Sequence, residues 1–283
     1  MSGVKEVRPL AATIGAEIYG IDLSSELLAD DVDFVRKALL NHGVVFFRGQ
    51  TLPPDKHVSL AGHFGEPEVH PIVEGTNEHP EIIRIIKPAN EPASFGTEWH
   101  SDNSFFKQPS LGTILYAEDV PVAGGDTLYA DMYRAYETLS DGLKRMLDGL
   151  RAVHSAKVAY DPAGSAGAKY RGESTLKYRM SDAVAEENLH PVVRTHPDSG
   201  RKALYVNPMF TLRFEDMTEA ESKPLLDYLY DHSTRPEYTC RFKWQKGSVA
   251  FWDNRGVMHY AMNDYEGHQR IMSRITLMGD TPA

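Results

Sequence analysis

The stretch SVAFWDNRGVMHYA, residues 248–261, contains an apolar run that ends in Trp-Asp-Asn, and a turn then precedes His259. Short apolar runs bounded by Asn, Asp, Gly or Pro are typical of β-strands. Seven further stretches have this character: EIIRII, GTILYAEDV, DTLYAD, HPVVRTH, KALYVN, YTCRFKW and RIMSRITLM. Eight short strands predict a β-sandwich or jelly roll.

Four other stretches have the spacing or the capping residues of helices. We expect these helices within residues 30–43, 52–65, 130–140 and 217–233. Gly43 and Gly65 are suited to end the first two, and Asp131 can act as the N-cap of the third. We therefore predict a mainly β protein with flanking helices, formed by a single domain over residues 1–283.

The charge balance argues against a nucleic-acid or membrane-surface partner. The 283 residues include 30 Lys and Arg against 40 Asp and Glu, which gives a formal net charge of −10, and a negative protein repels polyanions. No apolar run approaches the roughly 20 residues that a membrane span needs. The opening MSGVKEVRPL lacks the apolar block of a secretory signal. We therefore expect a cytoplasmic protein that binds neither nucleic acid nor membranes.

A histidine and an aspartate suited to bind a metal ion lie two positions apart in TEWHSDNSF, residues 97–105. In an extended segment His100 and Asp102 would face the same side. The lone cysteine, Cys240, excludes a thiolate zinc cluster, so a metal here would take nitrogen and oxygen ligands. Among the other histidines, His259 follows a rigid strand and is the best third ligand. Two histidines and a carboxylate leave several positions open on an octahedral metal, as in non-haem iron(II) oxygenases, whereas zinc prefers a tetrahedral site.

Two arginines suited to bind a carboxylate lie in HQRIMSRITLMGD, residues 268–280. In an extended strand Arg270 and Arg274 fall on one face, and a guanidinium grips a carboxylate with two parallel hydrogen bonds. An oxygenase with a dicarboxylate cosubstrate needs such an anchor. The alternative is that both arginines pair with acidic groups at the surface.

A long stretch rich in Gly, Ala and Ser, YDPAGSAGAKYRGES, covers residues 160–174. Its composition predicts a mobile loop. Long loops in compact domains are often active-site lids or surface insertions without a role, and the two hypotheses are equally favoured here.

Four motifs, WHSDNSF, GGDTLYADMYRAYETLS, WDNRGVMHYA and RIMSR, together resemble the taurine dioxygenase and 2,4-dichlorophenoxyacetate dioxygenase family of iron(II)/2-oxoglutarate-dependent oxygenases. The likeness extends from GAEIYGIDLS to RITLMGD, nearly the whole chain. It implies a distorted double-stranded β-helix, a jelly roll, with His100, Asp102 and His259 as the iron ligands. It further implies that Thr127 hydrogen-bonds the distal carboxylate of 2-oxoglutarate and that Arg270 pairs with it.

The resemblance also implies a substrate pocket, for which the candidate residues are His70, Val73, Gly96, Asn103, Tyr160, Phe210 and Arg274. Arg274 and His70 would gather positive charge beside the iron and favour an anionic substrate, and Arg274 is also a candidate contact for 2-oxoglutarate. Where taurine dioxygenase has a tyrosine and an asparagine, this chain has Val73 and Gly96, which removes polar contacts and opens space. The two aromatic residues of the set would then line an apolar wall.

These implications predict an iron(II)-dependent dioxygenase that hydroxylates a small organic anion, such as a sulfonate, a sulfate ester or an aryloxyalkanoate. The cosubstrates 2-oxoglutarate and dioxygen are consumed, and succinate and carbon dioxide are formed. Three alternatives stay open: taurine dioxygenase proper, a zinc-dependent hydrolase with the same triad, and a non-catalytic jelly roll that binds anions. The resemblance also implies a homodimer or homotetramer.

Overall fold

A computed structural model of the protein describes residues 4–91, 96–161, 175–179 and 181–283. All eight predicted strands are present in this part of the chain, some of them shorter than expected, together with additional strands. The strands are β1 (Glu6–Pro9), β2 (Ala16–Tyr19), β3 (Val44–Phe47), β4 (Ile83–Lys87), β5 (Gly112–Asp119), β6 (Thr127–Asp131), β7 (Arg151–Ser155), β8 (Glu187–Pro191), β9 (Val193–Thr195), β10 (Lys202–Leu204), β11 (Thr211–Phe214), β12 (Thr239–Phe242), β13 (Val249–Asp253), β14 (Val257–Ala261) and β15 (Arg270–Leu277).

Helices occur at all four predicted places. The α-helices of the described residues are α1 (Ala29–His42), α2 (Pro54–Gly62), α3 (Met132–Glu137), α4 (Asp141–Leu147), α5 (Lys157–Tyr160) and α6 (Glu219–Ser233), and short 3-10 helices occur at Asp182–Val184 and Pro236–Tyr238. Asp131 caps α3 as predicted, because its carboxylate accepts the backbone N–H groups of Tyr133 and Arg134. The expected end of α2 at Gly65 is wrong. The helix stops at Gly62, because the N–H groups of the next two residues bond to carbonyls three positions back rather than four.

The strands form a jelly roll in which a seven-stranded sheet faces a three-stranded sheet. The larger sheet has the order β1-β2-β3-β13-β5-β15-β4, and the smaller has the order β12-β6-β14. β2 and β3 are parallel, and the other strand pairs within the described residues are antiparallel. A second three-stranded sheet, β11-β7-β8, and the pair β10-β9 complete the strands.

The larger sheet is buried on both faces, which explains why its central strands have no polar alternation. In β3, Val45 and Phe47 pack in a cluster with residues of α1 and α2, whereas Val44 and Phe46 pack between the two sheets. A strand buried on both faces carries apolar residues at consecutive positions. The helices therefore cover one face of this sheet, and the smaller sheet covers the other.

The segment around His100 differs from the extended strand predicted for it. His100 forms an isolated bridge with His259, and the chain then turns from Asp102 to Phe105. Asn103 has a φ of 56°, which a strand does not allow. The turn forms because the Asp102 N–H donates to the side-chain oxygen of Asn254 at 3.2 Å instead of to a neighbouring strand.

Only the start of the predicted loop 160–174 is described, namely Tyr160 and Asp161; the remainder lies outside the described residues. Tyr160 ends α5 and its side chain is buried. The lid hypothesis therefore stays a prediction. In the described parts of the chain, no helix is both long enough and apolar enough to cross a bilayer.

Candidate metal and cosubstrate site

The two histidines of the predicted triad are fixed to each other by their backbones. His259 lies in the middle of β14, and His100 bridges to it. The His100 N–H donates to the His259 carbonyl at 3.0 Å, and the His259 N–H donates to the His100 carbonyl at 2.8 Å. Their rings consequently lie side by side, with centroids 4.1 Å apart.

Asp102 completes the triad from the turn that follows His100. Its Oδ1 lies 3.6 Å from His100 Nε2 and 4.0 Å from His259 Nε2. One donor atom from each of the three buried residues falls within 4.8 Å of the others. These distances exceed hydrogen-bond length, so the donors converge without bonding to one another, as donors around a shared cation do.

The protonation states of the triad suit a divalent cation. His100 Nδ1 lies 2.7 Å from the Glu98 carbonyl oxygen, which can only accept, so Nε2 keeps its lone pair for a metal. Burial, and then the neighbouring His100, lowers the pKa of His259 to about 3. Burial alone would raise the pKa of the Asp102 carboxyl, but the Arg274 guanidinium, His259 and His100 together outweigh it and hold that pKa well below its usual range. The set therefore offers imidazole lone pairs and a carboxylate, the ligand set of a non-haem iron(II) centre.

Arg270 is a buried cation for which the described residues provide no paired anion. It begins β15, is 6% exposed, and its Nε has no hydrogen-bond partner among these residues. Asp126 acts on it electrostatically but forms its ion pair with Arg241, whose Nε lies 2.6 Å from Oδ2. Burial lowers the pKa of Arg270, because the interior solvates an isolated charge poorly. Such a guanidinium is suited to bind the carboxylate of a ligand.

Trp244 links Arg270 to Thr127. The indole N–H donates to Thr127 Oγ1 at 2.9 Å, and the guanidinium carbon of Arg270 lies 5.8 Å from the centroid of the Trp244 ring. Two residues after Thr127 on β6, Tyr129 lies against the ring of His259, with centroids 6.2 Å apart. Because alternate residues of a strand share a face, β6 borders both the triad and the Trp244 side chain that lies near Arg270.

Arg274 contacts the triad directly. Its Nη1 donates to Asp102 Oδ1 at 3.1 Å. Met272, which lies between the two arginines on β15, packs between the sheets, so Arg270 and Arg274 share the inner face as predicted. Both arginines are buried, which excludes the alternative that they pair with acids at the surface.

His70 is neutral, so the prediction that it carries positive charge is wrong. Its Nδ1 accepts the backbone N–H groups of Ile72 and Val73 at 3.1 and 3.0 Å. Its Nε2 therefore carries the proton and donates to Asn103 Oδ1 at 3.0 Å. Burial, and then the charge of Arg274, lowers the pKa of His70 to about 3. The Asn103 hydrogen bond and the charge of Asp102 favour the protonated imidazole, but they are smaller than the cost of burial and the repulsion by Arg274.

Asn103 connects His70 to a buried carboxylate that the sequence did not single out. Asn103 Nδ2 donates to Glu68 Oε2 at 3.0 Å and to Ser110 Oγ at 2.9 Å. The hydroxyls of Ser110 and Thr276 donate to the same Glu68 oxygen at 2.7 and 3.1 Å. Both ends of the Asn103 amide are thus engaged within the protein.

The predicted apolar wall lies beside the triad. Val73, Tyr160 and Phe210 belong to one buried apolar cluster and are 1%, 3% and 2% exposed. The Phe210 ring stands edge-on to His100, with centroids 6.1 Å apart. Gly96 has a φ of 80°, and an added Cβ would lie 3.4 Å from His100 Cε1. A side chain at position 96 would therefore crowd the ligand ring, and glycine leaves that space open.

Besides Glu68 and Ser110, three further residues at this site were not predicted: Asn254, Trp244 and Thr113, whose hydroxyl donates to Asp102 Oδ2 at 2.7 Å. Asn254 stands in the Trp-Asp-Asn turn and Trp244 in a predicted strand, but neither position signals its contact. The partner of Asn254 at Asp102 is 152 residues away, and the partner of Trp244 at Thr127 is 117 residues away. Contacts at such separations leave no local pattern.

Buried histidines make the metal-free protein sensitive to acid. Burial lowers the pKa of His57 and His190 to about 4 and of His70 and His259 to about 3. Each is neutral when folded but takes up a proton near pH 6.5 when unfolded, so its stabilising contribution is present above about pH 6.5 and is lost as the pH falls toward its folded pKa.

We expect the Tm of the metal-free protein to fall steeply as the pH is lowered from about 6.5 to about 5. Each histidine contributes about 1.4 kcal/mol per pH unit to this loss. Asp131, whose pKa burial raises to about 6, acts in the opposite direction but is outnumbered. Calorimetric melts in chelator-treated buffer measure the effect, and a Tm that stays constant across this range contradicts it.

The chain is similar to proteins of known type over almost its whole length. Residues 6–276 match the family model described as Taurine catabolism dioxygenase TauD, TfdA family. The chain is 37% identical over 278 residues to an alpha-ketoglutarate-dependent sulfate ester dioxygenase from Pseudomonas putida, covering 98% of this chain and 90% of that protein. It is 38% identical over 279 residues to an alkylsulfatase from Acinetobacter baylyi, covering 97% of this chain and 85% of that protein.

The fold agrees with this family as well. The crystal structure of a taurine dioxygenase from Burkholderia xenovorans matches with a TM-score of 0.83 at 38% identity, covering 99% of this chain and 91% of that one. The family model and both relatives span the triad and the two buried arginines. The chain therefore belongs to the TauD/TfdA family, and it is an iron(II)-dependent dioxygenase that consumes 2-oxoglutarate and dioxygen.

Proposed function

We propose that this dioxygenase hydroxylates a small organic anion with an apolar body, and that an alkyl sulfate ester is the best candidate. The observation that carries the proposal is the convergence of three metal donors between a buried guanidinium, Arg274, and an apolar wall that includes Val73 and Phe210. A charged head and an apolar body are the two parts of an alkyl sulfate.

The cosubstrate side of the site is assigned to residues as follows. We propose that His100, Asp102 and His259 hold iron(II), and that Arg270 and Thr127 bind the distal carboxylate of 2-oxoglutarate. When bound, iron(II) and 2-oxoglutarate supply the oxidising chemistry, in which 2-oxoglutarate is decarboxylated to succinate. The fixed tautomer of His100, set by the Glu98 carbonyl, keeps its Nε2 available as a donor throughout.

Arg274 and His70 are proposed to receive the anionic head of the substrate. Arg274 supplies the positive charge, and His70 supplies a neutral Nε2–H donor in place of the cation that the sequence suggested. This N–H group donates to Asn103 Oδ1, so it can bind a substrate anion only if the anion replaces Asn103 as the acceptor. An anionic head at this position would pair with the guanidinium that Asp102 already contacts through Oδ1.

The apolar wall decides between substrates of the same charge. Taurine has an ammonium group at its far end, and Val73 and Phe210 offer it no hydrogen-bond acceptor. An alkyl chain gains from contact with the same surface. The two relatives named for sulfate ester and alkyl sulfate chemistry support this choice.

The remaining alternatives are disfavoured for physical reasons. A zinc-dependent hydrolase needs only the triad and a water molecule, and it would leave the buried Arg270 without an anion. A non-catalytic anion-binding jelly roll would not need three convergent metal donors. The hydrolase therefore leaves the buried Arg270 guanidinium without a function, and the non-catalytic jelly roll leaves the three buried metal donors without one.

We expect a substrate panel to rank medium-chain alkyl sulfates above taurine by about tenfold or more in kcat/KM, the size of effect that apolar pocket contacts produce. Succinate formation measures turnover of alkyl sulfates, alkyl sulfonates, aryloxyacetates and taurine under one set of conditions. Val73→Tyr is the matched variant. It adds a polar group to the apolar wall, so it should reduce the ratio of kcat/KM for alkyl sulfates to kcat/KM for taurine. Efficient turnover of taurine by the wild type, with weak turnover of alkyl sulfates, would refute the assignment.

Three further properties stay predictions. We propose that residues 1–283 form one domain, since the elements around the site come from both ends of the chain. The homodimeric or homotetrameric state and the cytoplasmic location are likewise proposed, and light scattering and cell fractionation test them.

A further inference from the structure

The two carboxylate oxygens of Asp102 have different surroundings. Oδ1 faces the Nε2 atoms of His100 and His259 at 3.6 and 4.0 Å and accepts from Arg274. Oδ2 instead accepts the hydroxyl of Thr113, on β5 of the larger sheet, at 2.7 Å. Oδ1 is therefore the oxygen placed to bind a metal, and Oδ2 is held by the sheet.

The direction of the Thr113 hydroxyl is itself fixed. Asn254 Nδ2 donates to Thr113 Oγ1 at 3.0 Å, so the single hydroxyl proton is left for Asp102 Oδ2. The orientation of the Asn254 amide is set in turn, because its Oδ1 accepts from the Asp102 N–H at 3.2 Å and from Trp252 Nε1 at 2.9 Å. Asp102, Thr113 and Asn254 thus form a closed hydrogen-bonded ring in the interior.

We propose that Thr113, oriented by Asn254, is a positioning residue that restricts Asp102 to monodentate metal binding through Oδ1. The inference rests on the proposed function. A carboxylate that turns to bind through both oxygens occupies one more coordination position, and this chemistry requires the open positions for 2-oxoglutarate and dioxygen. Turning Asp102 would break the Thr113 hydrogen bond at a buried position, where an unpaired hydroxyl is costly.

The β-ladder supplies a matched control. Thr276 on β15 is the direct ladder partner of Thr113 on β5, and the two residues are 2% and 0% exposed. The Thr276 hydroxyl donates to Glu68 rather than to Asp102. Thr113→Val and Thr276→Val therefore each remove one buried hydroxyl from the same sheet. Only Thr113→Val removes a hydrogen bond to the metal ligand Asp102.

The test measures binding of Mn(II), and then of 2-oxoglutarate to the Mn(II)-loaded protein, by calorimetry. We expect Thr113→Val to weaken Mn(II) binding by about 10- to 100-fold, the range for loss of a group that orients a metal ligand. It should also weaken 2-oxoglutarate binding, because the extra Asp102 oxygen competes for a coordination position. Thr113→Ser, which keeps the hydroxyl, and Thr276→Val should stay within about twofold of the wild type.

The outcomes separate this inference from the proposed function. Wild-type protein that binds neither Mn(II) nor 2-oxoglutarate overturns both. Wild-type protein that binds both, with equal affinities in Thr113→Val, overturns the inference alone, and so does an equal loss in Thr113→Val and Thr276→Val. If Thr113→Val does not melt as a folded protein, Asn254→Ala removes the orienting donor, and unchanged Mn(II) affinity in that variant overturns the inference.

Discussion

Replacing His259 with alanine is expected to abolish succinate formation and to weaken iron(II) binding by about 100-fold or more. His259 supplies one of three convergent donors, and its backbone bridge to His100 makes the two imidazoles one unit. The site left by the substitution has one imidazole and one carboxylate, which do not define a coordination geometry. The broad visible band of the iron(II)–2-oxoglutarate chelate, followed in an anaerobic titration, measures the loss.

A second buried histidine provides the control for His259→Ala. His232 on α6 is 3% exposed, and its Nε2 donates to the Ala135 carbonyl at 2.8 Å, away from the triad. His232→Ala creates a comparable cavity and should reduce thermal stability while leaving the visible band unchanged. Normal succinate formation by His259→Ala would show that His259 is not a metal ligand.

Replacing Arg270 with leucine is expected to raise the KM for 2-oxoglutarate by about 100-fold. The guanidinium is buried near the ring of Trp244, which hydrogen-bonds Thr127, and it has no carboxylate paired with it among the described residues. We therefore expect a carboxylate of 2-oxoglutarate to serve as its counter-ion. Removing an uncompensated buried charge also removes its desolvation cost. The metal-free variant should therefore melt at the same temperature as the wild type or higher.

Arg194→Leu is the contrasting control for Arg270→Leu. Arg194 is fully buried as well, but its Nη2 pairs with Asp280 Oδ1 at 2.8 Å. The same substitution there should lower the Tm, because packing and a paired contact are lost, and it should leave the KM for 2-oxoglutarate unchanged. A KM that does not respond to Arg270→Leu, or that responds equally to both substitutions, would show that Arg270 does not anchor the cosubstrate.

Four strands of the larger sheet, β4, β5, β13 and β15, could be predicted because their apolar runs are local. Val249 to Trp252 are apolar at every position, and this pattern follows from burial of both faces of the sheet. The candidate iron ligands were also found from sequence, because the His-x-Asp pair and His259 stand in recognisable motifs. The helix cap at Asp131 was found for the same reason, since a capping aspartate acts within three residues.

Local patterns misled where long-range contacts decide the conformation. His100 and Asp102 were expected on one extended strand, but the chain turns at Asp102 because the Asp102 N–H donates to the side chain of Asn254. The two side chains still converge, although not through strand alternation. His70 was expected to be a cation, and only its burial beside Arg274 and the two backbone N–H groups at its Nδ1 show that it is neutral.

Residue types and their spacing along single elements were enough to predict the fold class, the three candidate metal donors and the two inner-face arginines. The groups that surround these residues became known only from the folded arrangement. The Thr113 hydroxyl on Oδ2 of Asp102, the Trp244 bond to Thr127 and the lack of an acidic partner for Arg270 among the described residues depend on residues brought together from distant strands. Hydrogen bonds and desolvation act over a few ångströms in space, whatever the separation along the chain, so no local pattern records them.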